Sequence, residues 1–387
     1  MMQEYIFILG KNRSLSIAEI IMYYRHRNWN LDLTMLSENA GLAKSDNVPD
    51  ADSLGGTIKI IRINDVFENF DPYLIDAPKY IGRSEGKNIF GLSVYGKSKS
   101  WVIKNKNQIQ ILQKNIKDML KAKSIKSRFI NFSGEVSPVH LSRNKINDIV
   151  LFFRGETLYV GSTCSFNNPL EFKKRDEKKP VTIATMGIPI RLAKIMLNMA
   201  GVKEDTSVLD PFCGTGIILQ EAALLKAKII GSDIDPKMVS GAKRNINWLA
   251  EEYGFKGSNF TDLLFVSDAS KISSLIKNKV DVIITEPYFG PALKKISSPK
   301  TAKNMLNKNV ILYDSIIKEF SKVVKRDGYI CIVVPSYRTR NKNVHMNFRK
   351  IFTRHGFEEV KIREGLEQPF REEKKTLTKE IFLLRKL

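Results

Sequence analysis

Cysteine is scarce. Cys164, Cys213 and Cys331 are the only three in 387 residues, and none forms a Cys-x-x-Cys pair. That spacing argues against a zinc cluster and a disulfide framework, no metal is expected, and a reducing interior suits it. Long apolar runs are missing as well: nothing approaches the roughly 18 residues of a membrane-spanning helix. The opening MMQEYIFILGKNRS puts Glu4 ahead of its apolar run with no basic segment before it, so a secretory signal is not expected and a cytoplasmic location is. Acid is the third shortage, with 41 Asp and Glu against 63 Lys and Arg, a formal charge of +22. Such an excess points to an anionic partner, nucleic acid first.

What is present is enough apolar residue, 43% of the chain, to bury two or three cores. From about residue 181 the pattern alternates strand and helix, which predicts an α/β fold with a mostly parallel sheet. Strands are expected at 207–210, 228–233, 264–267, 280–285 and 329–335. Helices are expected at 217–226, 236–252 and 309–325, and two runs at 359–363 and 379–385 are expected to form an antiparallel edge. The first 160 residues mix short β-like runs with helices, an α+β composition. Their helix at about 107–122 is flanked and studded by Lys97, Lys99, Lys104, Lys106, Lys114, Lys117, Lys121, Lys123, Lys126 and Arg128, with Asp118 its sole acid. A charge run is commonly only a solvated face; the functional reading is phosphate contact. The polar stretch at 167–179 reads as a linker.

Two stretches carry chemistry. In VLDPFCGTGI, at 208–217, a strand ends in Asp210 and breaks into a turn holding Gly214 and Gly216, where backbone can approach a ligand closely. A dinucleotide fold would want glycine at 219, where Leu219 stands, and the Gly-Lys-Ser/Thr of a P-loop is also missing. The turn therefore suits a ligand without a phosphate chain, with Asp210 accepting from an ammonium group. Asp233 ends the next strand, placed for both hydroxyls of a ribose; Ile234 would cover an adenine face, and Asp268 would accept from the adenine amino group. An Asp at a strand end is by itself usually a helix cap. Three in register beside a glycine turn point to S-adenosyl-L-methionine. The second stretch, IITEPYFGP at 283–291, offers the side chain of Thr285 or Glu286 and the carbonyls of the turn at Pro287 to accept from a base amino group, with Tyr288 to stack on that base. Read alone, it is a strand ending at a proline turn with a packing aromatic.

These residues resemble the THUMP-containing tRNA (guanine-N2) methyltransferases of the guanine-10 group. DPFCGTG is similar to the family's cofactor turn, which implies a place for Phe212 beside the ligand. EYIFILGKNRSLSIAEI, LGGTIKI, IFGLSVYG and LYVGST look like its amino-terminal landmarks, and RDEKKP with MGIPIRLAKIMLN like its linker and lead-in helix, which implies Met186 and Gly187 near the methionine part of the cofactor. The resemblance implies a ferredoxin-like segment at 1–65, a THUMP-type RNA-binding domain at 66–165, a linker at 166–180 and a Rossmann-like methyltransferase domain at 181–387. It implies a tRNA substrate methylated at guanosine N2, position 10, and in some relatives a small activating partner protein. The family commonly carries Asp-Pro-Pro-Tyr where this chain has Thr285, Glu286, Pro287 and Tyr288. Rival expectations are an amino methyltransferase acting on ribosomal RNA or DNA and a non-catalytic RNA-binding relative.

Overall fold

A computed structural model describes residues 2–81, 88–130, 134–183, 187–255, 263–290, 295–340 and 343–387. It divides into two units, residues 1–13 with 27–172, and 14–26 with 173–387. The chain opens with β1 (Gln3–Leu9) and α1 (Arg13–Arg25), followed by β2 (Asp32–Ser37), β3 (Ala40–Ser45), β4 (Thr57–Phe67) and β5 (Asn88–Tyr95). Then come α2 (Lys99–Lys104), α3 (Lys106–Ala122), β6 (Ser127–Phe129), α4 (Pro138–Asn144), β7 (Asn147–Arg154), β8 (Thr157–Phe166) and α5 (Pro169–Glu177).

In the first unit the eight strands form one sheet in the order β2-β3-β1-β4-β8-β7-β5-β6. That sheet runs through both segments 1–65 and 66–165, and β4 crosses the boundary between them. The basic helix α3 buries Ile109, Leu112, Ile116 and Leu120 at helical spacing and leaves Lys114, Lys117 and Lys121 in solvent, so its apolar stripe explains its folding and its charges are free for other work. Inside the sheet, Asp148 accepts from Lys59 at 2.8 Å, Ser93 at 2.6 Å and Thr163 at 2.6 Å, a paired charge with its acceptor sites filled.

The second unit holds α6 (Ile190–Met199), β9 (Ser207–Asp210), α7 (Ile217–Leu224), β10 (Lys228–Asp233), α8 (Pro236–Tyr253), β11 (Leu264–Val266), β12 (Val280–Thr285), α9 (Pro299–Val323) and β13 (Val324–Arg338). It ends with β14 (Asn343–Val344), α10 (Arg349–Arg354), β15 (Phe357–Glu359), β16 (Phe370–Glu373) and β17 (Leu377–Lys386). The main sheet order is β11-β10-β9-β12-β13-β17-β15, parallel through β13 and antiparallel beyond it. After β11 the chain returns past β9 to lay down β12, so the order reverses between β9 and β12, where sheets of this kind bind ligands.

Three departures from the sequence expectations concern how elements are placed. The linker stretch contains the helix α5, whose Arg175 donates to Glu221 at 2.6 Å with both side chains buried. The run at 379–385 lies inside the sheet, between β13 and β15, because Ile381, Phe382, Leu383 and Leu384 are buried on both faces; of the two runs expected at the edge, the first reaches an edge strand, at Glu359 of β15. α1 belongs to the second unit, where Leu15, Ala18 and Met22 share a core with Leu192, Met196 and Leu197 and Asn198 donates to Glu19 at 2.7 Å.

Candidate functional site

Register brings the two turns together. β9 and β12 pair in parallel with Val208 opposite Val282 and Leu209 opposite Ile283, so both strands deliver their following turns to the same end of the sheet. There Thr285 Oγ1 donates to Asp210 Oδ1 at 2.8 Å, and the Phe212 N–H donates to the same oxygen at 3.1 Å. Asp210 is 1% exposed. Burial pushes its carboxyl up to about 7; the Thr285 hydroxyl and the Phe212 N–H oppose that rise, and the Asp233 and Glu286 carboxylates reinforce it. A buried carboxyl facing two more acids favours a cationic ligand.

The glycine turn is shaped for close approach. Gly214 and Gly216 adopt φ of 51° and 85°, left-handed values that side chains disfavour, and a Cβ on Gly214 would meet nothing within 4 Å, whereas one on Gly216 would press to 3.2 Å from Ala242 Cβ. The first glycine thus faces open space and the second packs α7 against α8. Gly214 N–H donates to Asp233 Oδ2 at 3.0 Å and Asp235 N–H to Oδ1 at 3.0 Å, which fixes the carboxylate while each oxygen keeps a second acceptor site. Ile234 beside it is 69% exposed. Asp268 is half-buried and accepts from Ser270 N–H at 2.9 Å as a cap. Phe212 is half-buried against the core on the α9 side. Gly187 stands by the start of α7, where its Cβ would be 3.1 Å from Ile217 Cδ1; Met186 lies outside the described residues.

In the second turn, Thr285 is expected, as an alternative to Glu286, to accept from a base amino group. It is 0% exposed, and its hydroxyl proton goes to Asp210, because the parallel register puts it against that acid. Glu286 is nearly closed to solvent and forms an ion pair with Lys379 of β17 at 2.5 Å. Burial raises the Glu286 pKa, and the Lys379 ammonium opposes the rise. Pro287 is buried, while Tyr288 is 53% exposed, free to meet a planar partner. The turn is held by the Phe289 carbonyl, which accepts from the Tyr337 hydroxyl and from Asn309 Nδ2 at 3.4 Å.

Four residues of this machinery were not singled out from the sequence. Lys379, Tyr337 and Asn309 reach the second turn from β17, β13 and α9. Asn245 of α8 accepts from Val181 N–H at 2.8 Å and donates to the carbonyls of Val181 at 2.9 Å and Thr215 at 2.9 Å, so it ties the segment leading towards Gly187 to the glycine turn. Lys379 had a signal, a lysine inside the apolar run LTKEIFLL.

Residues 182–363 match the model of an RMKL-like methyltransferase domain, and 89–244 match a DNA methylase model. Over 148 residues the chain is 36% identical to a tRNA (guanine(10)-N2)-dimethyltransferase of Methanothermobacter thermautotrophicus, covering 38% of each chain; the match thus spans well under half of that relative. It is 33% identical over 147 residues to a probable tRNA (guanine(10)-N2)-dimethyltransferase of Methanothermococcus thermolithotrophicus, 36% of this chain and 76% of that one. The chain belongs to the tRNA (guanine(10)-N2)-methyltransferase family. Its fold is also that of TrmN from Thermus thermophilus, at 14% identity, a TM-score of 0.53 and coverage of 99% of this chain and 100% of that one. A carboxylate at 285 would face the buried Asp210 within hydrogen-bond reach and repel it; a hydroxyl donates to it instead. Among the described residues no helix is long and apolar enough to cross a membrane, and no group of three potential metal-ligating residues occurs.

Proposed function

We propose that this protein transfers a methyl group from S-adenosyl-L-methionine to the exocyclic N2 of a guanosine in tRNA, at position 10. The observation that carries this reading is the Thr285 to Asp210 hydrogen bond, 2.8 Å long, which joins the two turns at the switch point of the sheet. The donor set suits this cofactor. Asp210, with Asp233 and Glu286 reinforcing its negative surroundings, would hold the ammonium end; Asp233, pinned by two backbone N–H groups, would take the ribose hydroxyls; Ile234 would cover the adenine, and Asp268 would accept from its amino group. Gly187 would line the methionine end. Bound there, the cofactor supplies an electrophilic methyl on a positively charged sulfur.

The chain's own residues then orient the nitrogen. An exocyclic amino group is a weak nucleophile because its lone pair is spread into the ring. Hydrogen bonds from its two N–H groups to the Glu286 carboxylate and the backbone carbonyls of the 286–288 turn restore density to it, and Tyr288 stacks on the base. Positioning supplies most of the acceleration. The first unit, read as ferredoxin-like followed by a THUMP-type RNA-binding region, would grip phosphates through the exposed lysines of α3.

The test is to incubate the protein with tRNA and methyl-labelled cofactor and digest to nucleosides. Label in N2-methylguanosine is expected, lost when guanosine 10 is replaced; its absence from methylguanosine rejects the base assignment. The match of 89–244 to a DNA methylase model favours a second reading, an amino methyltransferase of another nucleic acid. Competition between tRNA and DNA at fixed salt separates the two, since a basic surface binds any polyanion at low ionic strength.

A further inference from the structure

The carboxylate of the second turn does not stand alone. Glu286 pairs with Lys379 at 2.5 Å, with side chains 14% and 11% exposed. Lys379 lies directly across from Glu372 in the β16–β17 ladder, and Glu372 Oε1 accepts from Lys374 Nζ at 2.6 Å. Acid and base therefore alternate from the turn outward, Glu286, Lys379, Glu372 and Lys374, ending at an exposed lysine. Besides burial, Glu372 raises the pKa of the Glu286 carboxyl and Lys374 lowers it, and Glu286 in turn raises those of Asp210 at the first turn and Tyr313 on α9. β17 is otherwise apolar at its centre, with Ile381 and Leu383 on the face of Lys379 buried; a lysine near the end of that face costs desolvation unless it has a partner to hold.

We propose that Lys379 is a positioning residue which fixes Glu286 as the carboxylate that takes the proton released when the base amino group is methylated. This rests on the amino-methyl-transfer reading above. As the base nitrogen gains its methyl from the sulfonium donor, the new N–C bond uses the nitrogen lone pair, and the electrons of the broken S–C bond stay on sulfur, which becomes neutral. The nitrogen is left cationic with one proton too many. That proton passes to Glu286, which becomes a neutral acid, and the pair of the N–H bond returns to nitrogen. Lys379 stays charged throughout, and water removes the proton from Glu286 before the next turnover. Position 285 is committed to Asp210, and a lysine from another strand, β17, holds the acid at 286 ionised.

Three variants test this. In Lys379→Met, single-turnover methylation should fall about 10-fold or more at neutral pH, with cofactor affinity by calorimetry within about twofold of the parent, since Lys379 pairs with the acceptor turn. The acid limb of its pH–rate profile should move up by about one unit or more. Lys379→Arg should restore most of the rate, and Glu286→Gln should abolish the acid limb. Independently of turnover, carbon-13 NMR of labelled glutamate in the protein alone should show one carboxyl, lost in Glu286→Gln, titrating at higher pH in Lys379→Met. An unmoved titration, or a loss of rate that comes wholly from cofactor affinity, overturns the proposal. A parent protein that methylates no nucleic acid overturns the reading of function instead, while the NMR titration still decides whether Lys379 holds Glu286 ionised.

Discussion

The two turns at the end of β9 and β12 are built on opposite principles. The first is made of backbone: N–H groups of Phe212 and Gly214 grip Asp210 and Asp233, and glycine leaves the approach open. The second is made of side chains brought from far along the sequence, with Lys379, Asn309 and Tyr337 holding Glu286 and the Phe289 carbonyl. A local turn of the first kind recurs with its sequence and binds a constant ligand. A turn assembled from distant strands depends on residues that no local pattern announces, as Lys379 illustrates.

The sharpest way to break this contrast is at Asp210. Asp210→Asn keeps the shape but removes the charge, and calorimetry should find cofactor affinity lower by about 100-fold or more, the scale of losing one member of a buried charge pair. Unchanged affinity would remove Asp210 from the site. The next effect is in pH. With its carboxyl pushed up to about 7, Asp210 is largely protonated below that pH, so binding a cationic ligand must expel a proton. Affinity should rise about tenfold per unit of pH below 7 and level off above it, with proton release visible between buffers of different ionisation enthalpy. Asp233 and Glu286 face the same carboxyl, so the comparison is with Asp210→Asn, whose profile should be flatter. The same raised pKa means that the ligand-free fold keeps Asp210's full contribution only at acid pH and loses it as pH climbs through 7. The smallest effect is expected at Asn245→Ala, which frees Val181 from Thr215. It should cost about 1–3 kcal/mol of stability through unpaired buried groups, seen as a lower melting temperature, and weaken cofactor binding by a few-fold, with the base-stacking role of Tyr288 untouched.

The same contrast explains what could be read from the sequence. Strand ends at Asp210, Asp233 and Thr285 fall where apolar runs meet an acid or a proline, and the helices around them follow within a few residues, because these signals are local. α9 begins at Pro299, ten residues before the expected start at 309; its first turns, PKTAKNMLNK, are polar, and only the Ser298 cap and Pro299 mark them. α5 was hidden by its charges, since its burial rests on Phe172 and on the pairing of Arg175 with Glu221. The membership of α1 in the second unit was equally invisible, because Leu15, Ala18 and Met22 meet partners more than 160 residues away. The tie of Thr285 to Asp210 was hidden for the same reason: a single sequence shows a hydroxyl at a strand end, and only the register of β9 against β12 shows the acid it faces.

The central claim is a division of labour, in which Thr285 serves the cofactor acid and Glu286 serves the acceptor nitrogen. Calorimetric cofactor affinity measured beside single-turnover rate, for Thr285→Val and Glu286→Gln, tests it most directly. Thr285→Val should weaken the cofactor about tenfold, the scale of one lost hydrogen bond to a buried carboxylate, while Glu286→Gln should leave that affinity within about twofold and slow methyl transfer. The reverse pattern, with Thr285→Val binding cofactor normally and Glu286→Gln losing it, would contradict the account.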